Sequence, residues 1–364
     1  MSELRFLPWA ELETSFRIGP VVITPWAEAR KTVASDLQKY LDLYLSRHIR
    51  NDGSAIPHVA VLNLDGADLL ADATPDQAAV FRSAVDILIF TTVVPSILAN
   101  IATENASPGV PNSERFQLIT QRFEGVQPYV SVMSGGTMHV WGIKKIHFCM
   151  PWHVGTSLYR HNDSMAKALG SLLTEPQSET RTRLFRALEW FRLAHTGSDE
   201  TSHLSRAVML ATVFEILLEP RDRREKRLGM TGVINELIAL DNLKTGTVTI
   251  GKDTVTLNAV ALWFNDFYRL RNAIVHGDTV DLQQLRYPVP GRDWLTHLDV
   301  AALVIWEIVS WQLVAEGRLG ADAREEAVWL AQQFGSGEPD EKFVRQVTAG
   351  LSGINVDAYH SDIG

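Results

Sequence analysis

From Pro151 onward the chain keeps to one period, and that period limits what it can fold into. Apolar residues recur at spacings of three and four through residues 163–173, 179–194, 202–218, 231–239, 258–276, 294–315, 321–334 and 342–351. This is the spacing of helices that bury one face. The breaks between them carry turn chemistry: Thr196-Gly-Ser-Asp, Glu219-Pro220, residues 246–251, and Tyr287-Pro-Val-Pro-Gly291. Five to six main helices in sequence predict a helical bundle with a C-terminal extension.

The first 150 residues read differently. Short β-branched or alternating runs predict strands over 19–24, 58–64, 87–94, 115–122, 129–133 and 138–146, with helices over 26–49 and 75–82. Asn51-Asp-Gly, Ser107-Pro-Gly-Val-Pro-Asn and Ser134-Gly-Gly mark boundaries, the last reading as a hairpin turn. The fold class expected is α+β. A mixed α/β N-terminal domain spans 1–150, an all-α bundle 151–320, and a helical extension 321–364. A chain of 364 residues exceeds a usual single domain, and 46% hydrophobic content supplies the cores.

A net charge of -9 argues against coating nucleic acid non-specifically, since such binding relies on many cations neutralising phosphates. RNA would have to meet a local basic patch. The single cysteine, Cys149, permits no intramolecular disulfide and suits a reducing cytoplasm. The N-terminal residues carry no signal-peptide h-region. Apolar windows near 87–101 and 300–315 contain Thr, Pro or Glu and fall short of the roughly 20 residues a span needs, so both read as core and no membrane partner is expected. Gly135-Gly136 lacks the spacing of a nucleotide-binding loop, and no cofactor is expected. His147, Cys149, His153 and His161 lack a paired-cysteine pattern, and read as a buried thiol with interfacial histidines, not as a zinc site.

Chemistry is legible in one stretch, Asn265-Asp-Phe-Tyr-Arg-Leu-Arg-Asn-Ala-Ile-Val-His276-Gly277. At 100° per residue Asn265, Arg269, Asn272 and His276 share a polar face. Val260, Trp263, Phe264, Phe267, Leu270 and Ile274 are expected to form the core stripe. Arg271 projects into that stripe, where an unpaired guanidinium is costly, so it needs a carboxylate or an open cleft. His276 lies in the last turn, and histidine is the side chain suited to proton exchange at neutral pH. An arginine and a histidine without a metal cluster suit phosphodiester transesterification. Histidine takes the ribose 2′-OH proton and arginine neutralises the phosphorane. Only RNA offers that hydroxyl.

This stretch resembles the HEPN superfamily, whose motif is an arginine followed after four to six residues by a histidine, often with a polar residue straight after the arginine. Arg271-Asn272 and His276 match with four residues between. The text Phe-Tyr-Arg-Leu-Arg-Asn-Ala-Ile-Val-His-Gly, with the upstream helix Ser205-Arg-Ala-Val-Met-Leu-Ala-Thr-Val-Phe-Glu-Ile-Leu-Leu218, looks like the Apea-like subgroup, over roughly residues 155 to 316. The resemblance implies a HEPN-like bundle and a homodimer in which two Arg/His pairs form one composite ribonuclease site. It also implies a setting of bacterial antiviral defence or a toxin-like system, with a regulatory protein or ligand at the N-terminal domain. Some relatives have lost activity and serve as dimerisation, nucleotide-binding or protein-binding modules, which is the alternative here.

Three further expectations concern that site. Leu204, Val208, Ala211, Glu215 and Leu218 share a stripe on 202–218, so Glu215 points coreward and is expected to pair with Arg271 and orient it. Arg269 also fits the loose arginine-to-histidine spacing and lies on the face of His276, so the choice between Arg269 and Arg271 stays open. The run Arg221-Asp-Arg223-Arg224-Glu-Lys226-Arg227 is either a solvated loop or the place where RNA phosphates are met.

Overall fold

A computed structural model describes residues 2–56, 58–102, 112–123, 129–133, 137–141, 146–154, 161–198, 200–219, 226–238, 245–250, 252–286 and 296–320. The protein is mixed α+β. It divides into two compact units. One gathers Met1–Ser96, Pro108–Arg181 and His195–Asp199, and the other Ile97–Ser107, Thr182–Ala194 and Glu200–Gly364. The helix at 163–171, which the sequence placed at the head of the bundle domain, groups with the first unit.

The first unit is built on an antiparallel sheet of β1 (Ser2–Glu11), β2 (Phe16–Ile18), β3 (Val21–Pro25), β5 (Val59–Leu64) and β6 (Ile119–Phe123), in the order β2-β3-β5-β1-β6. β1 lies inside the sheet and is buried on both faces. Leu4 and Phe6 meet Tyr40, Leu41 and Tyr44 of α2 (Ser35–Leu45). On the other face Arg5 stacks over Phe81 of α3 (Pro75–Ala102), 4.8 Å from the ring centre. Glu3 pairs with Arg5 and with Arg122, so neither buried charge of β1 is left alone. A bulge between Leu7 and Glu11 accommodates Pro8, which has no N–H to give the ladder.

The expected helix over 26–49 is broken. A single turn α1 (Trp26–Ala29) and a 3₁₀ turn at Arg30–Thr32 precede α2, and the end pairs as β4 (His48–Ile49), parallel to β9 (Phe148–Cys149). The strand expected over 115–122 begins as a 3₁₀ turn, Ser113–Phe116, before β6. β7 (Tyr129–Met133) and β8 (Thr137–Trp141) form the expected hairpin, with Met133 opposite Thr137, and its turn at 134–136 lies outside the described residues.

The largest correction concerns 87–94, expected as a strand and found inside the 28-residue helix α3. Ile87, Leu88, Ile89, Phe90, Val93 and Val94 are all buried, so no exposed face leaves a helical period in the sequence. Pro95 cannot donate to the carbonyl of Thr91, and that carbonyl accepts instead from the N–H of Asn162, at 2.9 Å, just before α4 (Asp163–Ser171). Gly19, at φ +56°, and Gly170 touch backbone to backbone where α4 meets the sheet edge.

The second unit takes α5 (Glu179–Ala194) from Thr182 onward, α6 (His203–Leu218), α7 (Lys226–Leu237), a hairpin of β10 (Thr245–Ile250) and β11 (Asp253–Asn258), α8 (Ala259–His276) and α9 (His297–Ala315). The hairpin replaces the break expected over 246–251, whose Thr/Val alternation is a strand pattern. α6 packs on α7, α8 and α9. Phe214 of α6 meets Trp263, Phe264 and Phe267 of α8 at ring separations of 5.0 to 6.3 Å. Asn258 caps α8, accepting from the N–H of Ala261, while Thr296 and Asp299 form a capping box on α9.

The apolar windows near 87–101 and 300–315 lie in α3 and α9, which are long and apolar enough to cross a membrane, contrary to the expected shortfall in length. The apolar windows of both are mostly buried, 78% and 61%. The expected extension over 321–364 lies outside the described residues.

Candidate functional site

α8 puts its chemistry in its last three turns. The helix is apolar at its start, where Trp263, Phe264 and Phe267 are buried, and loosens toward its end. Val260, Leu270 and Ile274, expected in the core stripe, are only half-buried, and Val275 is exposed at 51%. Asn265, expected on the open polar face, is buried at 3%; its amide donates to Asp266 and its carbonyl oxygen has no partner among the described residues.

Glu215 and Arg271 meet across α6 and α8, with Nη2 of Arg271 3.3 Å from Oε1 of Glu215. Their side chains are 16% and 21% exposed, so the pair sits at the edge of the core and not in it. The stripe assigned to α6 was one register off. The core residues are Ala207, Leu210, Ala211, Val213, Phe214 and Leu217, with Leu204, Val208 and Leu218 half-buried like Glu215. A glutamate at that margin keeps its charge near water while it faces an arginine.

The sequence reading missed Tyr268. Its hydroxyl donates to the same Oε1 of Glu215, at 2.6 Å, and the Arg271 guanidinium lies 5.5 Å from its ring centre. Burial and then the bond to Glu215 push its phenol pKa up, so it stays a donor. The signal was available: Phe264, Tyr268 and Arg271 fall at i, i+4 and i+7, and a tyrosine in an apolar stripe needs a partner for its hydroxyl. Nη1 of Arg271 donates to Oδ1 of Asn272 at 3.2 Å.

Arg269 turns elsewhere. It pairs with Asp266 one turn back on its own helix, at 3.7 Å. Arg227, near the start of α7, is half-buried and feels the same two residues: burial and then the charge of Arg269 lower its pKa, while Asp266 raises it. Burial in turn raises the carboxyl of Asp266 against both arginines. Of the basic run, Arg221, Arg223 and Arg224 lie outside the described residues, and Lys226 opens α7.

His276 is the last residue of α8 and is exposed. Gly277 holds φ +81°, its N–H donates to Ile274, and the N–H of Asp278 donates to Ala273 at 2.9 Å. That closing motif fixes the direction in which the helix releases the imidazole. The geometry therefore offers a carboxylate-held guanidinium and a solvent-open imidazole on the final turns of one helix. Cys149, expected to be a buried thiol, is exposed; of the histidines near it in sequence, His147 lies 3.4 Å from Nη1 of Arg47 and His161 lies 3.2 Å from the hydroxyl of Thr91.

No family model, no curated protein and no solved structure matches this chain.

Proposed function

We propose that the second unit is a HEPN-like helical bundle and that the protein is a metal-independent endoribonuclease acting as a homodimer. The observation that carries this reading is the placement of Arg271 and His276. One is held by Glu215 at the core's edge and the other is open to solvent at the end of the same helix. His276 takes the proton of a ribose 2′-OH or returns one to the leaving oxygen, and Arg271 neutralises the phosphorane as the 2′-oxygen attacks. Asn272 accepts a hydrogen bond from Arg271, and Glu215 orients the guanidinium. Arg227 and Arg269 are the cations that would meet neighbouring phosphates, with Arg221, Arg223, Arg224 and Lys226 continuing the basic run.

In the dimer of this reading the final turns of α8, where Val275 and His276 are exposed, face a second copy. In this reading the setting is the cytoplasm of a cell defending itself against a virus or carrying a toxin-like system, and the first unit receives a regulatory protein or ligand.

A second reading has an observation of its own. Both terminal nitrogens of Arg271 already face partners within the fold, as they would in a catalytically silent binding module. RNA cleavage in EDTA separates the two. The nuclease cuts without divalent cations, and H276A lowers the rate by about 10²- to 10⁴-fold, the range for loss of a general acid or base. Cleavage that requires a metal, or that survives in H276A, rejects it.

A further inference from the structure

Two charged residues between α7 and α8 are short of partners. Arg227 is half-buried, and its guanidinium closes neither a hydrogen bond nor an ion pair among the described residues, although the charges of Arg269 and Asp266 reach it. Asp266, its side chain 23% exposed, is held by two long contacts, the Asn265 amide at 3.4 Å and Nη1 of Arg269 at 3.7 Å. Both exceed a good charge-assisted bond. Burial pushes the Asp266 carboxyl up although both arginines pull it the other way. A half-buried cation and a half-buried carboxylate left this loosely held are costly for the fold to keep.

The two shortages are complementary. Arg227 calls for an anionic acceptor, and Asp266 for a neutral donor. A ribonucleotide offers both on one unit, an oxyanion in its phosphate and a donor in its 2′-hydroxyl. Carboxylates accept from ribose hydroxyls in dinucleotide-binding folds by the same chemistry. Arg269, the partner of Asp266, shares the helix face of His276 two turns before it, about 10 Å along the axis. That places the cluster at the reach of a neighbouring nucleotide and not at the bond being cut.

We propose that Arg227 and Asp266 form a subsite for one ribonucleotide beside the cleavage position: Arg227 binds its phosphate and Asp266 accepts a hydrogen bond from its 2′-hydroxyl. The proposal rests on the reading that this unit binds RNA, and it adds a hydroxyl read by binding to the one consumed in the reaction. Arg269 favours the charged, accepting form of Asp266. Deoxyribose leaves that carboxylate short of a donor, so DNA is disfavoured before any chemistry begins.

The measurement uses the full chain carrying H276A, to keep RNA intact, and fluorescent oligonucleotides of one sequence with either ribose or 2′-fluoro sugars. Fluorine preserves the shape of the sugar but has no proton to donate. The ribose strand should bind about tenfold more tightly, the scale of one hydrogen bond to a charged group. Adding D266A should bring the two affinities within about twofold, whereas a merely structural Asp266 would shift both together. Adding D266N, a neutral acceptor worth about half as much, should leave a preference of about threefold. Adding R227A should weaken both strands alike, keep the preference, and lower the slope of log affinity against log salt by about 0.7, the value for one phosphate of a single strand. Equal binding of the two strands, a preference that D266A leaves intact, a salt slope unchanged in R227A, or no binding of either strand overturns the proposal. If D266A fails to fold, D266N decides, and a preference still near its starting value sinks it. RNA cleavage by the wild type together with a preference unaltered in D266A would remove the subsite and spare the nuclease. The expected D266A pattern with RNA that the wild type leaves intact would do the reverse.

Discussion

Arg271 and Arg269 are two residues apart, yet their surroundings differ. Arg271 reaches across to Glu215 on another helix, whereas Arg269 stays with Asp266 on its own and shares it with Arg227. A guanidinium anchored between helices is held in a defined geometry, which is what stabilising a phosphorane requires. R271A should therefore lower kcat for RNA cleavage by about 10²-fold or more, while R269A should chiefly raise KM, by roughly tenfold or less. The reverse pattern, read in steady-state kinetics, would reassign the catalytic role to Arg269. The pairing of Glu215 with Arg271 was legible in sequence because two charges fell among apolar neighbours and each required the other. Tyr268 was overlooked because its ring satisfies an apolar pattern by itself, and only its hydroxyl betrays it.

At the scale of the element, α8 works because it stops cleanly. Gly277 occupies the left-handed region, and a Cβ there would meet nothing within 4 Å, so the conformation alone sets the cost of replacing it. G277A should destabilise the second unit by about 1 kcal/mol, seen as a fall of a few degrees in melting temperature. It should also lower the cleavage rate, because a frayed last turn no longer aims His276. Melting and activity equal to those of the wild type would show that the cap does not position the imidazole. The extent of α8 could be read before any coordinates, the helix expected over 258–276 meeting Ala259–His276 in the structure. By contrast α3 could not, because burial on all sides removes the alternation of polar and apolar residues that reveals a helix. β1 was missed for a related reason, since Glu3 and Arg5 look solvated until their partners are seen.

At the scale of the whole molecule, each unit holds a histidine kept neutral, His48 fully buried and His297 half-buried. His48 lies among Phe6, Trp9, Tyr44 and Phe148, and burial lowers its pKa to about 4. His297 accepts from Nε1 of Trp263 at 3.0 Å, and burial lowers its pKa also to about 4. The unfolded chain takes up both protons near pH 6.5 while the folded protein takes up neither until about pH 4. Their contribution is present above pH 6.5 and lost as pH falls toward 4, at up to about 1.4 kcal/mol per pH unit for each. Denaturant melts between pH 7 and 5 should show stability falling with acidity. H297Q, which keeps an acceptor for Trp263 without a group that titrates, should flatten part of that slope. Stability that stays level over this range would mean that neither ring is held neutral.

The proposed activity belongs to the whole molecule as well, because in that reading the Arg271 and His276 pairs of two protomers build one site. The chemistry of that site leaves a signature at the cut ends. Attack by a ribose 2′-oxygen must leave a 2′,3′-cyclic phosphate on one fragment and a 5′-hydroxyl on the other. Mass spectrometry of the fragments released in EDTA should find those termini from the wild-type protein and none from H276A. Fragments ending in 3′-hydroxyl and 5′-phosphate, or intact RNA after prolonged incubation with the wild type, would contradict a transesterifying Arg271/His276 site.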